Sequence, residues 1–201
     1  MGADAAPMRE AMPSHRSDPP APAGHRDARS AKSLAFEAAW DQAREDGAIP
    51  LRSAIGLKRF AKFARWFAII EPDRAKPALP FRLVGSGFFD FLGVDLTGAD
   101  YLDLADPAIR QPAYDYVTAC LAHPCGLWQR TPVLTSSGGM ILYEYTILPI
   151  SKTSGDADHI AVYVDIDPKV MEAAPIVDRV EHSTVWQWID IGLGVPDTEP
   201  G

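Results

Sequence analysis

Three apolar runs, 126–135, 140–151 and 159–166, are separated only by a Ser136-Ser137-Gly138-Gly139 turn and a short turn at 153–158. Runs joined this closely pair as antiparallel neighbours, because a parallel pair needs a crossover of a dozen or more residues. The triplet therefore commits the domain to an antiparallel sheet. In the last run Ile160, Val162, Val164 and Ile166 alternate with His159, Ala161, Tyr163 and Asp165, the period of a half-buried strand. The middle run behaves differently. Ile141, Tyr143, Tyr145 and Ile147 share one face and Leu142, Glu144, Thr146 and Leu148 the other, so both faces carry apolar groups. A sheet with water on one side alternates more cleanly, and a cover over the second face is expected.

Upstream, 66–71 (WFAIIE) and 80–86 (PFRLVGS) read as two further strands from their aromatic and β-branched content, and 88–92 as a short helix stopped by Gly93. Asp106-Pro107 supplies an N-cap and a first-turn proline. The helix it starts carries a stripe of Ile109, Ala113, Tyr116, Val117 and Cys120 and ends before Pro124. Nearer the N-terminus, 34–46 predicts a helix with Phe36, Trp40 and Ala43 on one face and Glu37, Asp41, Gln42 and Arg44 on the other, capped by Gly47. After Pro50, Leu57, Phe60 and Ala64 repeat at helical spacing among Lys58, Arg59, Lys62 and Arg65.

Residues 1–33 have almost no large apolar side chain and are expected to be a disordered tail. At the other end Val185, Gln187, Ile189 and Ile191 alternate with Trp186 and Trp188, the pattern of a segment that docks on the core. The chain thus divides into a tail (1–33), a helical flank (34–65), a core (66–167) and a C-terminal extension (168–201).

The sequence has 201 residues, 47% of them hydrophobic, enough for one soluble domain with a core. Net charge is −8, and the tail holds five Lys/Arg and four Asp/Glu, so the acidity belongs to the rest. An acidic body argues against nucleic acid and anionic membrane as partners, the basic cluster at 58–65 being a solvated helix face. Two cysteines, with neither an apolar leader nor a membrane-length run, predict reduced thiols and a cytoplasmic protein.

The order of two strands, a helical crossover and three closing strands resembles a PAS domain. More closely, 81–98 (FRLVGSGFFDFLGVDLTG) is similar to the core of a PAS subfamily found in short bacterial regulatory proteins. Trp40 in the N-terminal helix, Gly47-Ala48-Ile49-Pro50-Leu51-Arg52-Ser53 and Leu148-Pro149-Ile150-Ser151 match further motifs of that subfamily. Where the subfamily continues Asp-Phe-x-Pro after the serine, this chain has Ala54-Ile55-Gly56-Leu57. The resemblance implies an α+β fold, a five-stranded antiparallel sheet with helices on one face plus the N-terminal flanking helix. It also implies signal detection, protein interaction and dimerisation, with haem, flavin or a metabolite in some members.

Neither haem nor a photoactive flavin is expected here. The crossover 101–111 contains no His for an axial ligand, the photoreactive Asn-Cys-Arg-Phe-Leu-Gln segment is missing, and the chain has no Asn. Cys120, His123 and Cys125 lack zinc spacing and a fourth ligand, so no metal is expected. Gly85-Ser86-Gly87 reads as a strand-to-helix turn rather than a phosphate cradle, and Asp100, Asp103 and Asp106 as capping carboxylates. Ser136, Ser137 and Ser151 have no nucleophile elbow, and no catalytic residue is assigned. The expectation is a non-catalytic sensory module that binds a small ligand or a protein partner, with a ligand-free adaptor, and then an enzyme using the cavity, as alternatives.

Arg82, Trp128, Arg130, Tyr143, Glu144 and Tyr145 are the candidate ligand-binding set, a carboxylate and guanidinium groups among aromatic rings suited to a small polar metabolite if their faces line the cavity. A cross-strand ion pair is the competing reading of the charged members. Phe36, Trp40 and Tyr163 are the candidate interface of a C2 homodimer, in which the N-terminal helix covers the second sheet face in its own chain, its partner or both. An unidentified signalling protein is the other expected partner.

Overall fold

The computed structural model describes residues 29–45, 49–153, 156–167, 169–170, 177–183 and 185–197. The strands β1 (Phe67–Ile70), β2 (Phe81–Val84), β3 (Gly126–Thr135), β4 (Met140–Ile150) and β5 (His159–Ile166) form an antiparallel sheet in the order β2-β1-β5-β4-β3. β3 pairs with β4 from Leu127↔Ile147 to Leu134↔Met140, and β4 with β5 from Tyr143↔Ile166 to Ile150↔His159. Both short turns therefore close hairpins.

The C-terminal extension lengthens the sheet beyond the expected five strands. β6 (Val177–Val180) and β7 (Val185–Ile189) both pair antiparallel with β3, β7 against residues 126–130 and β6 against 133–135. They cover an edge that would otherwise expose a row of unpaired N–H and C=O groups. β7 coincides with the segment expected to dock. β6 carries two charged residues between its valines and gives little strand signal of its own.

The period-two alternation along the strands puts a core on each face. Ala68, Ile70, Leu127, Val133, Tyr143, Tyr145, Ile147, Ile160, Val162, Val164 and Ile166 point to the inner face. There they meet α3 (Ser86–Leu92), two 3-10 turns (Tyr101–Leu104 and Pro107–Ile109) and α4 (Arg110–Ala122). Asp106 caps the second turn, accepting from Ala108 N–H at 2.9 Å, and the turn runs on into α4. On the outer face Phe67, Ile69, Trp128, Leu148, Ile150, Ala161 and Tyr163 meet α1 (Ala31–Asp41), α2 (Leu57–Phe60) and the 3-10 segment Ala61–Trp66. The cover expected over the second face thus comes from the same chain.

That packing corrects several expectations. Helix α1 begins at Ala31, and Ser30 is its N-cap, accepting from Ser33 N–H at 3.0 Å, so residues 29–33 belong to the fold rather than to a tail. Arg29 is buried and pairs with Glu37 at 2.6 Å, which places Glu37 in a contact rather than on a solvated face. The tail 1–28 and the Gly47 cap lie outside the described residues. Phe36, Trp40 and Tyr163 are at most 3% exposed, with the Phe36 and Tyr163 rings stacked at 5.3 Å and the Trp40 indole N–H donating to Pro149 O at 2.9 Å. They are core residues of one chain and offer no free surface to a second copy.

Candidate functional site

The inner face borders a cavity of about 260 Å³ between the sheet, α3, the 101–104 turn and β6, with the half-exposed Val94 and Asp178 at its mouth. Its floor is β-branched, with Val133 from β3 and Val162, Val164 and Ile166 from β5. Phe88 and Phe91 from α3, with Trp66 and Phe81, form an aromatic wall in which Trp66 meets Phe88 edge-on at 5.6 Å. The helix reaches this position because two positions before and inside it have no side chain. A Cβ on Gly85 would lie 2.1 Å from Ala64 O, and one on Gly87 2.7 Å from Arg65 O. Gly93 at φ 74° then ends the helix in the left-handed region.

Three phenols provide the polarity of the cavity. Tyr143 and Tyr145 project from β4 and are buried, while Tyr101 leans over from the 3-10 turn, its ring stacked on Tyr145 at 6.2 Å and 16°. Burial pushes the Tyr101 hydroxyl up to about 12, against the opposing effect of a hydrogen bond shared with Tyr143. Burial likewise raises Tyr143 and Tyr145 well above the ordinary phenol range, helped by the neighbouring phenol groups. All three are neutral hydroxyls at physiological pH. The Tyr145 hydroxyl is buried without a hydrogen-bond partner. Behind Tyr101 and Tyr145 lies a second hollow of about 40 Å³, with Gln129, Thr131 and His182 on its wall, enough for an ordered water.

The expected ligand set is split by the alternation of β4. Tyr143 and Tyr145 line the cavity, but Glu144, between them, points to the outer face with Trp128 and Arg130. Glu144 accepts from Ser30 N–H (3.1 and 2.9 Å), the Ser33 hydroxyl (2.8 Å) and the Trp128 indole N–H (3.1 Å), with the Arg130 guanidinium 3.5 Å away. Its acceptor capacity serves to hold the start of α1. Burial raises its pKa, but these hydrogen bonds outweigh burial and leave it below the ordinary value. Arg82 is on β2, away from both groups, and pairs with Glu71 at 2.6 Å. The two arginines and Glu144 therefore follow the ion-pair reading, and the cavity set is Tyr143 and Tyr145 with Tyr101, Phe81, Phe88, Phe91 and Trp66. Tyr101 was legible only as a residue after a capping aspartate; its reach across to β4 is a long-range contact.

The lining offers no His, Cys, Lys or Arg among the described residues. It supplies no imidazole or thiolate for haem iron, leaving the phenols as its only side chains of a haem-ligating type, and no thiol or phosphate-binding cation for a flavin nucleotide. Cys120 and Cys125 are buried free thiols outside the cavity, His123 is exposed, and no group of three metal-ligating side chains occurs among the described residues. No described helix is long and apolar enough to cross a membrane.

Among curated proteins no sequence matches the chain. Similar solved structures include an RNA-binding light-oxygen-voltage receptor (15% identity, TM-score 0.42, covering 65% of this chain and 38% of that one). Another is the PAS domain of a protein from Colwellia psychrerythraea (16%, TM-score 0.41, 56% and 98%), and a third the light state of the blue-light photoreceptor Aureochrome1 LOV (13%, TM-score 0.39, 59% and 94%). The chain spans well under half the length of the first of these. A PAS domain family model matches residues 28–163, which run from the start of α1 into β5 and so take in the N-terminal cover, the crossover and the core sheet. The chain belongs to the PAS domain family.

Proposed function

We propose that this protein is a non-catalytic sensory module that takes up a small molecule in the inner cavity and passes the result to a protein partner. The observation that carries the reading is the 260 Å³ apolar hollow that runs from the surface at Val94 and Asp178 into the inner core. Interiors pack to near-crystalline density, and an apolar hollow of this size gains stability when an apolar molecule replaces the water in it. Three neutral phenols, the Trp66 indole and one carboxylate, Asp178, are the polar side chains of the lining, with no nucleophile beside a base, which supports binding rather than catalysis.

A ligand-free adaptor is the second reading. It is favoured by the β3–β4 hairpin end, where Met140 and Leu142 are 63% and 55% exposed. Native mass spectrometry of the freshly purified full chain separates the two. A stoichiometric small-molecule adduct that is lost on denaturation supports sensing. A bare chain whose melting temperature no small-molecule panel shifts would overturn it in favour of the adaptor.

A further inference from the structure

Resting on the proposed cavity reading, we infer that the site is built for a neutral, largely apolar molecule carrying a single hydrogen-bond acceptor, which receives the Tyr145 hydroxyl. Size comes first. A dry cavity of about 150 Å³ accommodates the six carbons of benzene, so 260 Å³ scales to about ten non-hydrogen atoms, a fused two-ring skeleton. The floor of Val133, Val162, Val164 and Ile166 and the wall of Phe88 and Phe91 match such a skeleton with apolar surface on every side.

Charge comes second. A buried ion requires a partner, and no cation is among the lining residues. The one carboxylate, Asp178, repels an anion, and because it is half exposed at the mouth and 3.4 Å from the guanidinium of Arg179, which also pairs with Asp106 and Glu181, its charge is held in solvent and not among the apolar walls where a ligand's charge would lie. A neutral ligand is what remains.

The polar anchor comes third. A hydrogen bond joins the Tyr101 and Tyr143 hydroxyls, whereas the Tyr145 hydroxyl, on a side chain stacked against Tyr101 and bordering the cavity, has no partner. A buried hydroxyl left without an acceptor is unfavourable, and a ligand carbonyl or ether oxygen would relieve it.

Four probes of nearly equal size test this on the dialysed full chain: 1-indanone, indane, phenylacetate and phenyltrimethylammonium, titrated by calorimetry with ligand-observed NMR. Indanone is expected to bind about three- to tenfold more tightly than indane, the worth of one hydrogen bond, and the two ions far more weakly than either. Tyr145→Phe should abolish the indanone preference and leave indane binding unchanged. In the ligand-free state it should leave the melting temperature unchanged or raise it, because the hydroxyl it removes is unsatisfied. Equal binding of ketone and hydrocarbon, tighter binding of either ion, or a lower melting temperature of ligand-free Tyr145→Phe, as if a water in the smaller hollow held the hydroxyl, would each overturn the inference while leaving the cavity as a ligand site. If none of the four binds and the purified protein carries no small molecule, the cavity reading itself fails.

Discussion

Glu144→Gln should release the start of α1 while leaving the sheet intact. The carboxylate takes hydrogen bonds from Ser30, Ser33 and Trp128, and the last of these comes from an indole on a fully buried side chain. Glutamine keeps the shape but turns one acceptor into a donor. All three bonds end on Oε2, so the amide keeps its oxygen there, loses the charge that strengthens them, and turns its NH2 towards the Ser30 N–H and the Arg130 guanidinium at the Oε1 position. One charge-assisted hydrogen bond is worth about 1.5–3 kcal/mol, so Glu144→Gln should cost about 2 kcal/mol, and Glu144→Ala, which strands all three donors, about 4 kcal/mol. Because these bonds tie residues 30–33 to β4, the loss should be local. Amide exchange in 31–41 should quicken about thirtyfold while the β4–β5 amides keep their protection. Native-state hydrogen exchange read by mass spectrometry, with urea unfolding alongside, measures both. A Ser33→Ala/Glu144→Gln double-mutant cycle should show the two changes to be coupled. The pH dependence has a fixed sign. A carboxyl held below its ordinary value of 4.5 contributes stability that is present above that value and lost as pH falls through the folded-state pKa, so wild-type docking should weaken on acidification from about pH 5 and Glu144→Gln should flatten that slope. Unchanged exchange in 31–41, with a stability change under about 0.5 kcal/mol, would refute the tether.

Deleting 183–201 removes β7 and the buried Ile189 and Ile191; at about 1.5–3 kcal/mol per side chain this is at least about 3 kcal/mol and a melting temperature lower by about 6–12 °C, readable by circular dichroism, and an unchanged melt would make the segment a free peptide. Cys120 and Cys125 are fully buried, and burial raises the Cys120 thiol well above its usual range, so Ellman's reagent at about pH 8 should titrate neither in the native protein and both in denaturant. Trp40→Glu should destabilise the monomer fold outright, by more than about 3 kcal/mol, because the side chain is in the chain's own core. Light scattering on the wild type decides self-association independently; if Trp40→Glu instead stayed folded and merely shifted a dimer to monomer, the intrachain packing of α1 would be wrong.

The sheet was legible because its signals are local. Alternation in β5, the two-faced apolarity of β4 and the lengths of the two turns each lie within about a dozen residues, and strands β3 and β5 have the boundaries the pattern predicts. The cavity was half legible. Period two already separates Tyr143 and Tyr145 from Glu144, so no single site can contain all three, but which face has the cavity depends on where α1 and α3 pack, and that is set by contacts over tens of residues. Pairing charges with aromatics across one strand gave a plausible polar site and ignored the alternation. β6 was not legible at all, since VDRV becomes a strand only because β3 presents an open edge beside it.

The motifs that carried the family resemblance acquire a physical meaning from where they meet. Trp40 donates to Pro149 O, Arg52 N–H donates to Ser151 O at 2.7 Å, and Ser151 N–H donates to Pro50 O at 3.0 Å. The Ser151 hydroxyl turns back onto Thr153 O and Asp156 O, setting the bend between β4 and β5. Three sequence-distant motifs therefore converge on the end of β4, and Glu144 holds the opposite end of α1 to the same strand. Together they fasten the N-terminal cover to the outer face of the strand whose inner face presents Tyr143 and Tyr145 to the cavity. A shift of β4 on ligand uptake would be felt at both fasteners within the width of one strand. The remaining motif, 81–98, supplies Phe81, Phe88 and Phe91 to the cavity wall, so the motifs build both the fastening and the apolar wall, while the three phenols at 101, 143 and 145 lie outside them.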